Sequence, residues 1–295
     1  MVETRRYGAG LIDLHTHTNE SDGTYSPAEL IQEAIDLGLE ALAITDHDTF
    51  AGYDAAAPAA RAQGLDVICG IELSAKMQTG DSRVKTVHVL GYFLCGPPST
   101  EFRAWLMELQ AGRRERNVRL VAKLNSMNVN ITLEEVERLG RSLAGRPHFA
   151  KILVKKGYAK TIEQAFRDFI GEDAPGYVER DAPHVATSMQ RIIAGGGMPV
   201  VAHPIRLGYR DRQQEEDAIG AMRDAGLEGI EVYHSDQGVT DSNRYLALAR
   251  KYDLAVTGGS DFHGAVKPNV KLGSGVHGNV QVPKQVIDNL RRRCG

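Results

Sequence analysis

Short apolar runs of strand length, each leading into a histidine or a carboxylate, constrain this chain more than any other feature. The first passes from Gly10-Leu11-Ile12 into Asp13-Leu14-His15-Thr16-His17. Side chains alternate along a strand, so Asp13, His15 and His17 share one face. Two imidazoles at that spacing can grip one metal ion, and Asp13 is placed to accept an imidazole N–H. The pattern recurs: Ile44-Thr45-Asp46-His47-Asp48, Gly70-Ile71-Glu72, Val87-His88-Val89 and Val200-Val201-Ala202-His203. Asp261 and His263 follow Val256-Thr257-Gly258-Gly259-Ser260. Taken singly, each residue has an ordinary role: a hydrogen-bonded core histidine, a buried ion-pair member at Glu72, a helix N-cap at Asp46 or Asp261. Taken together they predict one polynuclear site, because C-terminal strand ends converge on one face in parallel α/β proteins. A buried ionised cluster without cations would be very costly. Nitrogen and oxygen donors without cysteine suit Zn, Mn or Fe in a hydrolytic rather than a structural site.

The elements between these runs alternate. Strands are expected at 11–15, 42–45, 67–71 and 84–93, and again at 199–202, 229–232 and 255–257, with helices between. Ser26-Pro27-Ala28-Glu29 opens a helix with a capping box and Pro at its first position; Leu30, Ile31, Ala34, Ile35 and Leu37 form its apolar face, and Gly38 ends it. A second helix follows Tyr53 and stops near Gly64. From Pro97-Pro98-Ser99 the pattern changes to mainly helical, with further capping boxes at Thr132–Glu135 and Thr161–Gln164. The expected organisation is an α/β body in two parts, 1–96 and 184–295, interrupted by a helical insertion over 97–183. Repeated β-then-α units favour a parallel sheet, open or closed into a barrel.

Composition narrows the function classes. The 295 residues are 42% apolar and 25% charged, enough for a sizeable core. No apolar stretch approaches the roughly 18 residues of a membrane span, and residues 1–6 lack the apolar core of a secretory signal. Cys69, Cys95 and Cys294 are odd in number and far apart, which argues against a disulfide framework and for a reducing cytoplasm. A net charge of −3 argues against general coating of duplex nucleic acid. The insertion holds 15 Lys/Arg against 12 Asp/Glu, the remainder 20 against 26. A basic helical region over an acidic body suits an anionic substrate, although a surplus of three is also what an ordinary solvated surface carries.

In combination, Asp13-Leu14-His15-Thr16-His17, Ser21-Asp22-Gly23, Thr45-Asp46-His47-Asp48, Gly70-Ile71-Glu72, His88-Val89-Leu90-Gly91, Ala202-His203-Pro204 and Ser260-Asp261-Phe262-His263 resemble the PHP (polymerase and histidinol phosphatase) superfamily. Gly145-Arg146-Pro147-His148-Phe149-Ala150 and Gly176-Tyr177-Val178 resemble its stand-alone branch of nucleoside 3′,5′-bisphosphate phosphatases and 5′-to-3′ exoribonucleases on short RNA. The resemblance implies a distorted seven-stranded (β/α) barrel with a helical cap and three divalent ions. His15, His17, Glu72 and Asp261 would hold one ion; Glu72, His88 and His203 a second; Asp22, His47 and His263 the third. It further implies attack on phosphorus by a metal-bridging hydroxide, with Asp46, His47, His203, Asp261 and His263 as the catalytic set and Asp46 or Asp13 orienting imidazoles. Arg146, His148 and Arg206 are the expected phosphate-binding residues, Lys267 and Lys271 weaker candidates. His234, weighed for a place at the barrel mouth, is set aside; His184 and His277 read as surface or loop residues. Competing readings are a histidinol-phosphate-type phosphatase, an amidohydrolase (which also begins with His-x-His but typically bridges its metals with a lysine) and a non-catalytic module. The substrate expected is a small phosphorylated molecule, a nucleotide or short RNA, with no membrane partner.

Overall fold

A computed structural model describes residues 11–78, 84–140 and 143–293. Residues 1–6, Gly10 and Cys294 lie outside the described residues.

The first part of the chain runs β1 (Leu11–Thr16), α1 (Pro27–Leu37), β2 (Ala41–Ile44), α2 (Ala51–Ala62), β3 (Asp66–Gln78) and β4 (Val84–Phe93). A helical stretch follows: α3 (Thr100–Ser126), α4 (Leu133–Gly140), α5 (Arg146–Lys155) and α6 (Ile162–Ala165), the last running into one π-turn at Phe166–Ile170. Alternation then resumes with α7 (Val185–Ala194), β5 (Met198–Val201), α8 (Arg212–Asp224), β6 (Gly229–His234), α9 (Val239–Lys251) and β7 (Ala255–Gly259). Short strands β8 (Val270–Lys271), β9 (Gly275–Val276) and β10 (Val282–Pro283) precede α10 (Gln285–Arg293).

The capping signals act as expected at α1: Ser26 accepts from the Glu29 N–H, Glu29 reaches back to the Ser26 N–H, and Gly38 closes the helix at φ 74°. Thr132 and Glu135 form the same reciprocal pair. At Thr161 only half of the box forms, because the Gln164 side chain accepts from the Lys160 N–H instead.

One sheet of eight strands, in the order β10-β1-β2-β3-β4-β5-β6-β7, curls into a nearly closed barrel. It differs from expectation in two ways. An eighth strand, β10, lies antiparallel to β1 and is only two residues long, too short to carry a strand pattern. The sheet is also mixed rather than parallel: β4 runs antiparallel to both β3 and β5. Only five residues of sequence lie between β3 and β4, too few for a crossover, so β4 pairs antiparallel with its predecessor. Closure comes at β1 and β7, where the Asp261 N–H donates to His15 O and the His17 N–H to Phe262 O, each at 2.9 Å.

Alternation divides the strands between two apolar layers. Ile71, Leu73, Val89, Ile230 and Val232 pack outward against α7 and α9 through Met189, Ile192 and Tyr245. Ile12, Leu14, Ile68, Leu90, Tyr92, Val200 and Val282 pack inward with Ile287 and Leu290 of α10. Ile68 and Glu72 of β3, and His88, Leu90 and Tyr92 of β4, have matching parity. One strand face therefore carries apolar core at one end and polar groups at the other. The helical stretch has its own core of Leu120, Leu124, Val136, Phe149, Leu153 and Ile170. Among the described residues no helix is long and apolar enough to cross a membrane.

Candidate metal centre

Glu72 is the hub of the polar end. It lies in the middle of β3 rather than at a strand end, but level with the end of β2, whose following loop pairs with it. The Glu72 N–H donates to Asp46 O at 3.2 Å and the Asp48 N–H to Glu72 O at 3.1 Å. The Glu72 carboxylate is buried and faces five imidazoles. Oε1 lies 2.8 Å from His88 Nδ1 and 3.0 Å from His203 Nε2. Oε2 lies 3.4, 3.1 and 3.2 Å from His15 Nε2, His17 Nε2 and His47 Nδ1. Asp261 Oδ1 approaches His15 and His17 Nε2 at 3.6 and 3.4 Å and His263 Nδ1 at 3.4 Å. Asp22 sits 3.3 Å from His263 Nε2, 3.7 Å from His17 Nδ1 and 3.8 Å from His47 Nε2. All nine residues expected as ligands thus meet in one cluster.

Three of the buried ring nitrogens, His15 Nε2, His17 Nε2 and His47 Nδ1, have no hydrogen-bond partner among the described residues. All three are aimed at one carboxylate oxygen, and donors about 2.0–2.2 Å from a shared cation stand roughly 3.0–3.6 Å apart. The orphaned nitrogens and their spacing fit divalent ions. Three groupings draw on the expected residues: His15, His17 and Glu72; His47, Glu72 and His88; and His17, Asp22, His47 and His263.

The surrounding hydrogen bonds aim these side chains, and here the structure corrects two expectations. Asp13 does not receive an imidazole. It accepts from Ser260 N–H (2.9 Å) and Oγ (2.6 Å) and from the Gly273 N–H (2.8 Å), tying β1 to the end of β7. The imidazole acceptor is Glu231 on β6, 2.9 Å from His15 Nδ1; its other oxygen accepts the His203 N–H at 2.6 Å. With Nδ1 directed at Glu231, His15 turns its Nε2 toward the cluster. The Asp46 carboxylate likewise holds no imidazole. Thr18 N–H (2.7 Å), Thr18 Oγ1 (2.6 Å) and Ser21 Oγ (2.6 Å) occupy it, fixing the turn that presents Asp22. Three site residues take left-handed backbone angles, Asp48 at φ 53°, His203 at 29° and Asp261 at 57°. Such strain costs of order 1–3 kcal/mol each and gathers where a side chain must be re-aimed.

Burial opposes charge throughout the cluster, and mutual attraction overrides it unevenly. Burial disfavours the His15 cation, but Glu231, Glu72 and Asp261 together raise it well above the usual imidazole range. Glu72 is held well below the carboxylate range despite its burial by His47, His88 and His15. For His203 burial prevails, and it stays neutral.

The cluster opens into a cavity of about 410 Å³ with two kinds of wall. On the barrel side, Arg206 Nη2 and Lys267 Nζ donate to Asp261 Oδ2 at 2.9 and 2.6 Å, and Arg206 also binds Asp236 at 2.7 Å. His234 is buried, 3.3 Å from Asp261 Oδ2, so it belongs to the cluster's edge; it forms a further grouping with His15 and Glu231. On the helical side stand Arg113, Arg116, Arg146, His148, Tyr177 and Arg180. His148 Nδ1 accepts the Gly145 N–H at 3.0 Å, which puts its proton on Nε2, and burial pushes its pKa down to about 4. Lys271 is exposed and does not line this cavity. His184 caps α7, and His277 sits in a loop at φ 52°. A larger cavity of about 960 Å³, lined in part by Met189, Tyr209 and Met222, shares no residue with the cluster.

Glu231, His234, Arg113, Arg116 and Arg180 are the residues that sequence reading missed. Glu231 carried one usable signal, a lone carboxylate inside the apolar run Ile230-Glu231-Val232. The three arginines had none, since a helical segment with many cations reads as solvated surface.

Comparison with known proteins agrees with this geometry. The family model described as PHP domain matches residues 13–179. The chain is 32% identical to the 3′,5′-nucleoside bisphosphate phosphatase of Chromobacterium violaceum, over 85% of this chain and 87% of that protein. It is 30% identical to a 5′-3′ exoribonuclease of Haemophilus influenzae, over 85% and 89%. A solved structure of a metal-dependent phosphoesterase from Bifidobacterium adolescentis superposes with a TM-score of 0.80 at 33% identity, covering 97% of this chain and 96% of that one. With more than half of its length matched by the family model and a full-length structural counterpart, the chain belongs to the PHP domain family.

Proposed function

We propose that this phosphate-ester hydrolase releases phosphate or a nucleotide from small nucleotide substrates, a nucleoside 3′,5′-bisphosphate or the 5′ end of a short RNA. The observation that carries the reading is the pairing of two walls in one cavity: five imidazoles around Glu72 on one side, a row of guanidiniums on the other. A carboxylate hub with nitrogen donors suits hard or borderline ions, and the facing cations suit a phosphorylated ligand. The names of the relatives point to the same substrate class.

In this reading, His15, His17, Glu72 and Asp261 hold one divalent ion, and Glu72, His88 and His203 a second. Asp22, His47 and His263 hold a third, and Mn, Zn or Fe all suit the donors. Bound ions of this kind supply water activation at neutral pH and neutralise charge developing on phosphoryl oxygens. The protein's own groups do the rest. Residues 97–183 act as a cap that narrows the cavity and excludes water. Arg146 binds phosphate oxygens from the cap, and Arg206 adds a cation from the barrel mouth. His148, neutral with its proton on Nε2, donates a hydrogen bond toward a substrate oxygen. Asp46 is a positioning residue that holds the Asp22 turn.

Hydrolysis of 3′-phosphoadenosine 5′-phosphate, 5′-phosphorylated short RNA and histidinol phosphate should be measured side by side with Mn²⁺ and with chelator. Turnover of the first two that depends on metal is expected. Asp261→Ala and His263→Ala should each lower kcat by at least about a thousandfold, in line with loss of a transition-state charge stabiliser. Preference for histidinol phosphate would move the protein to small-metabolite chemistry, and undiminished turnover in the Asp261 variant would remove the metal mechanism.

A further inference from the structure

The two oxygens of Asp261 face different company. Oδ1 turns to the cluster, 3.6, 3.4 and 3.4 Å from ring nitrogens of His15, His17 and His263. Oδ2 turns away and meets three donors: Lys267 Nζ at 2.6 Å, Arg206 Nη2 at 2.9 Å and His234 Nε2 at 3.3 Å. One carboxylate oxygen offers about two lone-pair sites, so it has one donor more than it can fully answer. The three donors differ in kind. Arg206 and Lys267 are long cations whose side chains are 38% and 30% exposed, and both line the cavity. His234, at the end of β6, is 1% exposed. Its ring lies against those of His203 and His15, with centroids 5.3 and 6.0 Å away. Its Nδ1 accepts the Asp236 N–H at 3.0 Å, which puts its proton on Nε2, facing Asp261. His234 is therefore a fixed donor rather than a metal ligand, and it shares one acceptor with two movable donors.

A phosphate that enters the cavity competes for the two cations, because its oxygens form charge-assisted bonds with guanidinium and ammonium groups. Once Arg206 and Lys267 turn to it, Oδ2 stays buried and needs a donor that does not leave. We propose that His234 is a positioning residue, which holds the Asp261 carboxylate to the cluster while Arg206 and Lys267 pass from Asp261 to the substrate phosphate. This deepens, and rests on, the phosphoesterase reading above. Asp261 then has one permanent partner and two exchangeable ones: the cations clamp it before substrate binds, and the imidazole holds it afterwards. Burial suits the ring to this task, since a donor within reach of the phosphate would be drawn off in the same way.

Two substitutions separate the two contacts of the ring. In His234→Gln the amide nitrogen reaches the place of Nε2 and can donate to Asp261. The shorter His234→Asn keeps an acceptor for the Asp236 N–H but falls short of Asp261. The full chain is titrated with Mn²⁺, the free ion being followed by electron paramagnetic resonance, with and without inorganic phosphate. Without phosphate the two variants should agree in Mn²⁺ affinity within about threefold, because Arg206 and Lys267 still hold Asp261. With saturating phosphate, His234→Asn should bind Mn²⁺ about 10–100-fold more weakly than His234→Gln, which should stay close to native protein. Turnover should follow the same order: His234→Asn lowers kcat by about tenfold or more and leaves KM little changed, since the substrate keeps both cations. Equal affinity of the two variants in phosphate overturns the proposal, whether both match native protein or both bind weakly. A better result for Asn than for Gln assigns the ring to the Asp236 turn and overturns it as well. Should neither variant fold, Arg206→Gln combined with Lys267→Met leaves Asp261 to His234 alone; Mn²⁺ binding that persists supports the role, and its collapse removes it. A Gln-over-Asn difference in Mn²⁺ binding without turnover of any phosphate ester would uphold the positioning role while removing the phosphoesterase reading.

Discussion

Glu231 and Gly259 show how single residues set the site without touching a substrate. Glu231 fixes the ring orientation of His15 and the backbone of His203, whose φ of 29° needs support. Glu231→Gln keeps the shape but replaces the ionised acceptor by an amide that can turn its NH₂ toward the donors. Metal affinity, measured by Mn²⁺ titration, should fall by about 10–100-fold; unchanged affinity would mean that His15 orients itself. Gly259 lies where β7 passes β1, and a Cβ there would fall onto the backbone nitrogen and Cβ of His15. Gly259→Ala should force the strands apart, costing about 1–3 kcal/mol in a denaturant titration and weakening metal binding with it. At this scale the sequence was legible where residues act in pairs along one strand, as at His15 and His17. Asp22 became legible only through resemblance, since an Asp before Gly otherwise reads as a turn residue. Glu231 stayed hidden because its partners come from β1 and from the turn after β5, and no local pattern carries that information.

At the scale of elements, Asp48 joins the barrel to the helical stretch. Its buried carboxylate receives Arg113 of α3 and Arg180, accepts the Ser74 N–H at 3.1 Å, and its carbonyl accepts from Gln110 at 2.8 Å. Asp48→Asn should cost about 3–5 kcal/mol by leaving buried guanidiniums uncompensated, with loss of the helical stretch's protection in hydrogen exchange. Native-like protection would show that the apolar contacts hold it alone. Helix starts and the α/β alternation were readable because caps and apolar periodicity are local. The antiparallel course of β4 was not, since a run such as 84–93 looks the same in either direction. The two-residue β10 lies below the length at which alternation means anything.

For the molecule as a whole, the buried cluster makes stability depend on metal. Glu72 and Asp261 are buried carboxylates, and Asp22 a partly buried one, facing imidazoles that would otherwise compete for protons. Mn²⁺ at about a hundred times its Kd should contribute roughly 2.7 kcal/mol, which in a chain of this size raises Tm by about 4–5 °C. Scanning calorimetry with Mn²⁺ and then with chelator checks this, and an unmoved Tm would argue against tight binding to the folded state. The change from strand–helix alternation to a run of helices after Pro97-Pro98-Ser99 was readable because it is a local change of pattern. The facing of barrel and helical stretch across one cavity was legible only through resemblance, because it depends on how long helices turn back over the sheet.

The seam between β1 and β7 has a temporal consequence. Asp13 and Ser260 are 247 residues apart in the chain, and His15 and Asp261 meet at the same join. At about 5–20 residues per second, the first histidines leave the ribosome roughly 12–50 s before the residues that complete their ligand set. In the metal assignment proposed above, a nascent chain carries loose imidazoles but no finished cage until β7 and the turn after it have been made. Barrel closure and the onset of activity should follow synthesis of the segment that carries Asp261 and Phe262, so a chain truncated before Asp261 should be unable to retain its ions.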